Sequence, residues 1–441
     1  MGLHRKIQRR LMQGTTLRSI GPFIKKHFGF HRIKDGFIAL DRAIGYKYRK
    51  KYTKKVKVVD NQILFYAFQG TYACNPKYIS EELERRGADV IIYWALNNPK
   101  SMGEFPDNSR VIPVKINSNE YYDAAFSSKV IVTNAILGDK NYLLPVKKNQ
   151  YLIETWHGAL GIKKFDPKSY KSSDSWPKAM TRTGKMTSFC ISNSQFEDDV
   201  YRDTYWANEK IKILRFGHPR NDILFDKTGE ERQKVLSLII EKYKLEEVED
   251  VHFVLYAPTF RDDHGFEVYN LDFNKMLQAF EEKYGGYWYL LLRYHPTVLL
   301  EQKMKNKIKG EKILNVTNFT DIQKLMLIAD VGVSDYSSWM FEYMETKKPV
   351  FIYASDLAFY KSERCFYYPI ESTPFPIATN NNKLIKNIEE FDQYQYEQRV
   401  DEFMKEKGCI DDGQASKRTV DFILQLMEDA KMNKGKKRRK K

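Results

Sequence analysis

A histidine, a glycine and two lysines follow a short apolar run in the first half of the chain. The run at 151–153 predicts a strand; His157 and Gly158 come just after it, and Lys163 and Lys164 a few residues later. A histidine at the end of a strand is suited to act as a general base, because its ordinary pKa lies near neutral pH. The glycine allows a substrate to approach the backbone closely, and the lysines suit an anionic substrate. The alternative is a buried histidine followed by solvated lysines.

Three more polar clusters stand later in the chain, each at the end of a strand-like run. They are Tyr256-Ala257-Pro258-Thr259-Phe260-Arg261, Arg293-Tyr294-His295-Pro296 and Asp335-Tyr336-Ser337-Ser338. In open α/β sheets, ligands bind in the crevice outside the carboxyl ends of the strands. Polar residues at these positions are therefore candidate site residues.

The remaining pattern predicts the elements that carry these clusters. Strand-like and helix-like segments alternate in both halves of the chain, which indicates two Rossmann-like domains facing across a cleft. The predicted parts are a basic amphipathic segment (1–57), an N-terminal Rossmann-like domain (58–225), a C-terminal Rossmann-like domain (226–425) and a basic tail (426–441). Helices near 383–391, 393–406 and 415–432 are predicted to close the second domain, and the last of them is long enough to cross back.

Length and composition narrow the class of protein. A chain of 441 residues is too long for one compact core. Its four cysteines lack the close spacing of a zinc site or a disulfide framework, which favours a reducing compartment. The sequence contains neither an apolar run of about 18 residues nor a signal-peptide pattern, so we expect no transmembrane helix.

The positive charge is concentrated at the two ends. The net charge is +16, with +15 in residues 1–57 and +8 in residues 431–441, so the body is mildly acidic. Apolar and basic residues interleave in the first 57 residues, which is typical of helices that lie on an anionic membrane surface. Gly21-Pro22 and Gly36 are expected to break this segment into short helices. A solvated basic arm and a nucleic-acid arm are the alternatives, but no nucleic-acid-reading motif accompanies the charge.

Taken together, the motifs resemble those of a known family. They look like the motifs of the CDP-glycerol glycerophosphotransferases of teichoic acid synthesis. The matching segments are those around His157, Thr259, His295 and Ser337, with Asn75-Pro76-Lys77, Pro219-Arg220-Asn221-Asp222 and Asp412-Gly413-Gln414-Ala415-Ser416. They occur in the family's order from about residue 62 to 425. The resemblance implies a GT-B-like pair of domains, with the donor nucleotide on the C-terminal one. It also implies the reaction, in which an acceptor hydroxyl attacks the β-phosphorus of a CDP-polyol and CMP is released.

Phosphoryl transfer needs a group that takes the nucleophile's proton and groups that hold the phosphate oxygens. We expect His157 to be the general base. Arg293 and His295 are expected to hold the pyrophosphate, with His295 protonating the departing CMP. Ser337 and Ser338 are expected to donate to phosphate from the start of a helix.

Further substrate-binding roles follow from the same resemblance and chemistry. Glu342 is assigned to ribose hydroxyls, and Asp335 to substrate binding or, alternatively, to capping its helix. The complete set of predicted substrate-binding residues is Gly158, Lys163, Lys164, Thr259, Arg261, Arg293, Asp335, Ser337, Ser338 and Glu342. Arg220 and Asp222 are interpreted as a structural turn with an internal ion pair. Asp262-Asp263-His264 lacks an Asp-x-Asp at a strand end, so we predict no tightly held metal or other cofactor, with Mg²⁺ at most loosely associated.

The predicted function is transfer of glycerol phosphate or ribitol phosphate from a CDP-polyol to a lipid-linked acceptor or growing polymer. Such an enzyme would be peripheral, on the cytoplasmic face of a bacterial membrane, with an anionic membrane surface rather than nucleic acid as its partner. A nucleotide-sugar glycosyltransferase of the same architecture is the first alternative. A nucleic-acid-binding protein that uses its basic ends is the second.

Overall fold

The computed structural model describes residues 13, 31–99, 105, 108–135, 137, 144–164, 175–204, 208–245, 249–261, 266–295, 298, 310–363 and 366–439. Within these residues two parallel sheets form, one in each half of the chain. Several of their strands are almost continuous buried runs: all six residues of Ser128–Thr133 are buried, and so are five of the six in Tyr287–Leu292. Such runs are typical of parallel strands covered by helices on both faces.

The N-terminal sheet has seven described strands in the order β3-β2-β1-β4-β5-β6-β7. The strands are β1 (Val59–Tyr66), β2 (Ile91–Leu96), β3 (Ile112–Lys115), β4 (Ser128–Thr133), β5 (Tyr151–Glu154), β6 (Phe189–Ser192) and β7 (Lys212–Arg215). The helices of this half are α1 (His31–Thr53), α2 (Cys74–Arg85), α3 (Asn119–Ser127), α4 (Ser175–Met186) and α5 (Gln195–Asp203). The strand order reverses between β1 and β4, which is where open α/β sheets bind ligands.

The C-terminal sheet has six described strands in the order β10-β9-β8-β11-β12-β13. The strands are β8 (Val251–Tyr256), β9 (Tyr287–Leu292), β10 (Ile313–Asn315), β11 (Val331–Ser334), β12 (Val350–Tyr353) and β13 (Ile377–Ala378). Its helices are α6 (Glu230–Tyr243), α7 (Phe273–Tyr284), α8 (Ile322–Ile328), α9 (Trp339–Tyr343), α10 (Leu357–Glu363), α11 (Asn381–Glu389) and α12 (Gln393–Lys407). Here the order reverses between β8 and β11. The two-domain α/β prediction is confirmed.

The last helix, α13 (Ala415–Arg439), returns to the N-terminal domain. Val420, Ile423 and Met427 are buried in the core beneath β1. Asp222 holds the start of this helix, because its carboxylate accepts hydrogen bonds from the backbone N–H groups at 415 and 416 at 2.9 and 2.7 Å. The predicted domain boundary at residue 425 therefore does not describe this helix, which serves the first domain.

Helix α1 runs without interruption from His31 to Thr53, so the predicted break at Gly36 is wrong. A glycine inside a helix costs only about 1 kcal/mol relative to alanine, which tertiary contacts easily offset. Arg49 is fully buried near the Tyr122 ring, and Tyr52 donates to Asp123 at 2.7 Å. The end of the predicted membrane segment is thus part of the N-terminal domain. Most of residues 1–30, on which the membrane prediction depends, lie outside the described residues.

Within the described residues, no helix combines the length and the apolar composition needed to cross a bilayer.

Candidate functional site

The carboxyl ends of the two sheets face each other across a cavity of about 210 Å³. The loop after β5 forms one wall and the loop after β11 forms the other, so both domains contribute side chains. We call this cavity the interdomain cleft. Its described lining is Trp156, His157, Gly158, Leu160, Gly161, Lys163, Phe196, Glu197, Val200, Tyr201, Tyr336, Ser337, Ser338 and Tyr367.

His157 lies in the cleft in the form that a general base requires. Its Nδ1 is 2.8 Å from the main-chain oxygen of Asn134, at the end of β4. Because a carbonyl oxygen only accepts, Nδ1 carries the proton and Nε2 is left with a free lone pair. Burial lowers the pKa of His157 to about 4, and the nearby Arg220 guanidinium adds to the lowering, while the bond to Asn134 opposes it. The imidazole is therefore neutral at pH 7.

The loop that carries His157 is held in an unusual backbone conformation. Trp156 and Leu160 have positive φ angles of 50° and 43°, in a region that costs a non-glycine residue about 1–2 kcal/mol. The Trp156 N–H donates to the buried Glu154 carboxylate at 3.0 Å, and the Leu160 oxygen accepts from the Tyr368 hydroxyl of the other domain. Lys163 then pairs with Phe366 as an antiparallel bridge. The loop is thus docked on the C-terminal domain through its main chain.

Gly158 and Gly161 allow the two walls to meet. A Cβ atom added to Gly158 would lie 3.1 Å from Oγ of Ser338, and one added to Gly161 would lie 3.5 Å from Cβ of the same serine. Gly158 is predicted to let a substrate approach the backbone. In the structure the side chain that approaches it is Ser338 of the opposite domain. Ser337 and Ser338 line the cleft as predicted, at the start of α9, and among the described residues neither hydroxyl makes a hydrogen bond.

The two predicted lysines differ in position. Lys163 lines the cleft, and its Nζ lies 3.3 Å from Oγ1 of Thr259 in the other domain. Lys164 is exposed and is not part of the described lining. The structure therefore brings Lys163 and Thr259 together at the cleft and leaves Lys164 at its edge.

We expect Lys163→Met to raise the KM for an anionic donor about 10-fold or more, because a hydrogen bond to a charged group contributes about 1.5–3 kcal/mol. Lys164→Met is the matched control, since it removes the same charge one residue away. Its KM should change less than about twofold, as expected for an exposed charge. Initial rates over a range of donor concentrations measure both. Equal effects of the two substitutions would contradict the placement of Lys163.

Arg261 and Asp335, both predicted to contact substrate, are bonded to each other at 2.9 Å. Arg261 also donates to Asp356 at 2.9 Å and lies over the rings of Tyr336 and Tyr360. Each of its guanidinium nitrogens makes a contact within the domain, which supports a structural role, and the phosphate contact stays a prediction. Asp335 accepts from the N–H of Thr259 at 2.9 Å. This pair fixes the loop that presents Thr259 to the cleft.

Arg293 and His295 follow β9 and lie further along the same edge. His295 is exposed and its ring is 4.6 Å from that of Phe260, the neighbour of Thr259. Arg293 is partly buried, burial lowers its pKa, and its Nη2 lies 3.4 Å from the oxygen of Phe319. His295 is not among the described lining of the cleft. Its described ring neighbour, Phe260, directly follows Thr259 in the chain, and the assigned role of His295 remains a prediction.

Glu342 is fully buried, and its carboxylate is paired with Arg220 of the N-terminal domain. Gln323 donates to its second oxygen at 2.9 Å. Both oxygens thus have partners, the pair with Arg220 joins the domains, and the assigned contact with ribose stays a prediction. The predicted ion pair between Arg220 and Asp222 is wrong, because Asp222 holds the start of α13 instead.

Sequence reasoning missed several residues that build the site. Lys77 of α2 forms a buried ion pair with Asp321 at 2.5 Å. Like the pair of Arg220 with Glu342, it joins the two domains. Asn75 donates to the oxygen of Thr155 at 2.9 Å and so supports the loop before His157. The Asn75-Pro76-Lys77 motif is visible in the sequence, but only the family resemblance singles it out. A contact across 244 residues leaves no local signal.

Among the described residues, no group of three or more His, Cys, Asp or Glu side chains is arranged to hold a metal ion. Asp262, Asp263 and His264 lie outside the described residues. The expected absence of a tightly held metal therefore stays a prediction.

Two parallel α/β domains that face each other with their strand ends across a cleft define a GT-B-like transferase architecture. The chain belongs to the family of CDP-glycerol:poly(glycerophosphate) glycerophosphotransferases, whose model matches residues 48–425. The family resemblance predicted from the motifs is thus confirmed.

Curated relatives and solved structures agree. The chain is 31% identical over 390 residues to a teichoic acid poly(glycerol phosphate) polymerase of Staphylococcus epidermidis, which covers 84% of this chain but 51% of the relative. It is 28% identical to a teichoic acid glycerol-phosphate transferase of Staphylococcus aureus, covering 82% and 93%. The wall teichoic acid polymerase TagF superposes with a TM-score of 0.74 at 28% identity, covering 90% of this chain and 98% of that one. The chain thus spans about half the length of the Staphylococcus epidermidis polymerase.

Proposed function

We propose that this protein transfers a polyol phosphate, glycerol phosphate or ribitol phosphate, from a CDP-polyol to an acceptor hydroxyl in teichoic acid synthesis. The single observation that carries the proposal is the position of His157. Its neutral imidazole lies in the cleft opposite Ser337 and Ser338, with Lys163 nearby. A base thus faces phosphate-binding donors across a space shared by both domains.

In the proposed reaction, His157 Nε2 takes the proton of the acceptor hydroxyl as its oxygen attacks the β-phosphorus. The bond between this phosphorus and the bridging oxygen breaks, and CMP leaves with the electron pair. Lys163, Ser337 and Ser338 stabilise the charge on the phosphate oxygens, which is the main task of the protein in phosphoryl transfer. An incoming pyrophosphate also opposes the effect of Arg220 on His157, so it raises the pKa of the base when the donor binds.

The proposed acceptor is a lipid-linked polymer or primer, and the proposed location is the cytoplasmic face of the membrane. Support comes from the basic and apolar residues of the sequence before α1, residues 1–30, and from the basic tail. Support for a CDP-polyol donor comes from the relatives, which include both glycerol-phosphate and ribitol-phosphate enzymes. A structure of TagF soaked with CDPG superposes on this chain with a TM-score of 0.74 at 27% identity.

The test is an assay of the purified chain with CDP-glycerol, CDP-ribitol and a UDP-sugar, each with and without a lipid-linked acceptor. We expect acceptor-dependent release of CMP from one or both CDP-polyols, measured by chromatography of the nucleotides. The His157→Asn protein serves as the control for contaminating activity. Release of UDP from the UDP-sugar, without CMP release, would instead identify a glycosyltransferase.

A further inference from the structure

The imidazole of His157 stacks on two aromatic rings. The Trp156 ring lies at 4.2 Å between centroids and 30° between planes, and the Phe68 ring lies at 5.4 Å and 23°. Trp156 is 8% exposed and belongs to a buried cluster, whereas Phe68 is 52% exposed. Phe68 belongs to none of the buried hydrophobic clusters of the described residues, and the described ring on which it stacks is the imidazole.

The turn that carries Phe68 is anchored. It is a 3-10 turn, Phe68–Gly70, directly after β1, and it includes a left-handed Gln69 with φ of 59°. Gly70 bonds back to the Ala67 oxygen at 2.9 Å, and its own oxygen accepts from Asn97 at 3.0 Å. A Cβ atom on Gly70 would meet the Ile116 side chain at 2.4 Å, so only glycine fits there. The ring of Phe68 is thus presented by a rigid backbone.

Asn134 joins Phe68 to His157. Its main-chain oxygen holds the Nδ1 proton of His157 at 2.8 Å, and its side-chain oxygen accepts from the Phe68 N–H at 2.7 Å. The residue is 1% exposed, so both bonds are shielded from water. One buried asparagine therefore sets the tautomer of the imidazole and the position of the ring that covers it.

We propose that Phe68 is a positioning residue for this transferase: its ring covers the open face of His157, fixes the plane of the imidazole and keeps water from the base. The inference rests on the proposed role of His157. Stacked aromatic pairs prefer a defined offset geometry, so the ring restricts rotation of the imidazole about its side-chain bonds. Phe68 itself is 52% exposed and is not part of the described lining of the cleft, so its ring leaves the cleft side of His157 to the substrates.

The surroundings of His157 determine how the pH dependence should respond. The charged groups that face it are the Arg220 guanidinium, from the 3-10 turn Pro219–Phe225, and the cleft-lining Glu197 of α5 and Lys163. Burial is the largest cause of the lowered pKa of His157. Loss of the Phe68 ring admits water while these charges stay in place, so the pKa should rise toward its ordinary value near 6.5.

The experiment compares Phe68→Ala, Phe68→Tyr and a matched control, Tyr394→Ala, which removes an aromatic ring that is 71% exposed on α12. Titration of ¹⁵N-histidine-labelled protein by NMR follows His157 directly, without any substrate. We expect Phe68→Ala to raise the pKa of His157 by at least about one unit, and Phe68→Tyr and Tyr394→Ala to leave it unchanged.

Activity gives the second readout. In Phe68→Ala, kcat should fall about 10-fold at pH 7 with little change in KM, and fall further relative to wild type as the pH is lowered to about 5.5. Phe68→Tyr should restore both values. An unchanged His157 titration in folded Phe68→Ala, or a pH-independent loss of activity, would overturn the inference. If the titration shifts as expected but no CDP-polyol is turned over by wild type, the proposed function fails while the positioning of His157 stands.

Discussion

Replacement of His157 by asparagine is expected to lower kcat for polyol-phosphate transfer about 10²–10⁴-fold, the usual cost of losing a general base. The acceptor hydroxyl would then have to lose its proton to water instead of to the imidazole. The KM for the donor should change little, because the proposed phosphate contacts come from Lys163, Ser337 and Ser338 rather than from the imidazole. Asparagine retains a polar group that can still bond to Asn134, so the loop should keep its fold.

The control for this prediction is His252→Asn. His252 lies in β8 next to Trp288, pairs with Asp250 at 3.0 Å and is not part of the described lining of the cleft. Its loss should leave kcat within about twofold of wild type, as for most surface substitutions. Urea unfolding of both variants separates activity from stability. If folded His157→Asn turned over like wild type, the base would have to be another group.

The same assignment predicts a pH profile. A base must be unprotonated, so kcat/KM on the acidic side falls only as the pH drops through the pKa of His157 in the free enzyme. Burial sets that pKa at about 4. We therefore expect the titration of His157 to have no effect on kcat/KM between about pH 8 and pH 5.5. Below about pH 5.5, its protonation should lower kcat/KM. An acidic limb with a midpoint near 6.5 would indicate a solvated histidine.

The architecture is predictable from the sequence because it depends on local pattern. Apolar runs with polar residues at their ends are properties of single strands, and in a parallel sheet all such ends meet at one edge. His157, Ser337 and Thr259 are located in this way from the sequence alone. The same reasoning leaves the domain of helix α13 open, since a long amphipathic helix near the end of a chain suits either sheet equally well by its pattern; the structure shows that it crosses back to the first domain.

The partners of the site residues are the part that the sequence does not reveal. Arg261 and Arg293 look alike as strand-end arginines, yet Arg261 is held between Asp335 and Asp356 while Arg293 makes no ion pair of that kind among the described residues. Glu342 carries the residue type of a ribose ligand but faces an arginine 122 residues away. Residue type restricts the chemistry that a side chain can do. Which chemistry it does depends on long-range contacts that leave no periodic signal.

The Arg220–Glu342 pair is the clearest case where such a contact has a large expected effect. Both side chains are buried, at 8% and 0% exposure, and they come from different domains. Breaking a buried pair by removing one partner costs about 3–5 kcal/mol, because the other charge is left without compensation. We expect this loss of unfolding free energy for Arg220→Met, measured by urea denaturation at about pH 8.

Two variants serve as controls. Arg85→Met removes an arginine that is 70% exposed and paired with Glu82 on α2, and it should cost at most about 1 kcal/mol. The double variant Arg220→Met/Glu342→Leu removes both charges of the buried pair, and should be more stable than Arg220→Met alone because no isolated charge remains. If the double variant lost as much unfolding free energy as Arg220→Met and Glu342→Leu lose together when measured singly, the two side chains would not be coupled.

The pH dependence separates this electrostatic account from simple loss of packing. Burial already raises the pKa of Glu342, and Arg220 is the main group that opposes the rise. Without Arg220 the carboxyl binds a proton more tightly in the folded than in the unfolded state, so folding becomes less favourable as the pH rises above the unfolded value of about 4.3. The loss in Arg220→Met should therefore be smaller at about pH 5.5 than at about pH 8. A packing defect would cost the same at both, since it involves no proton.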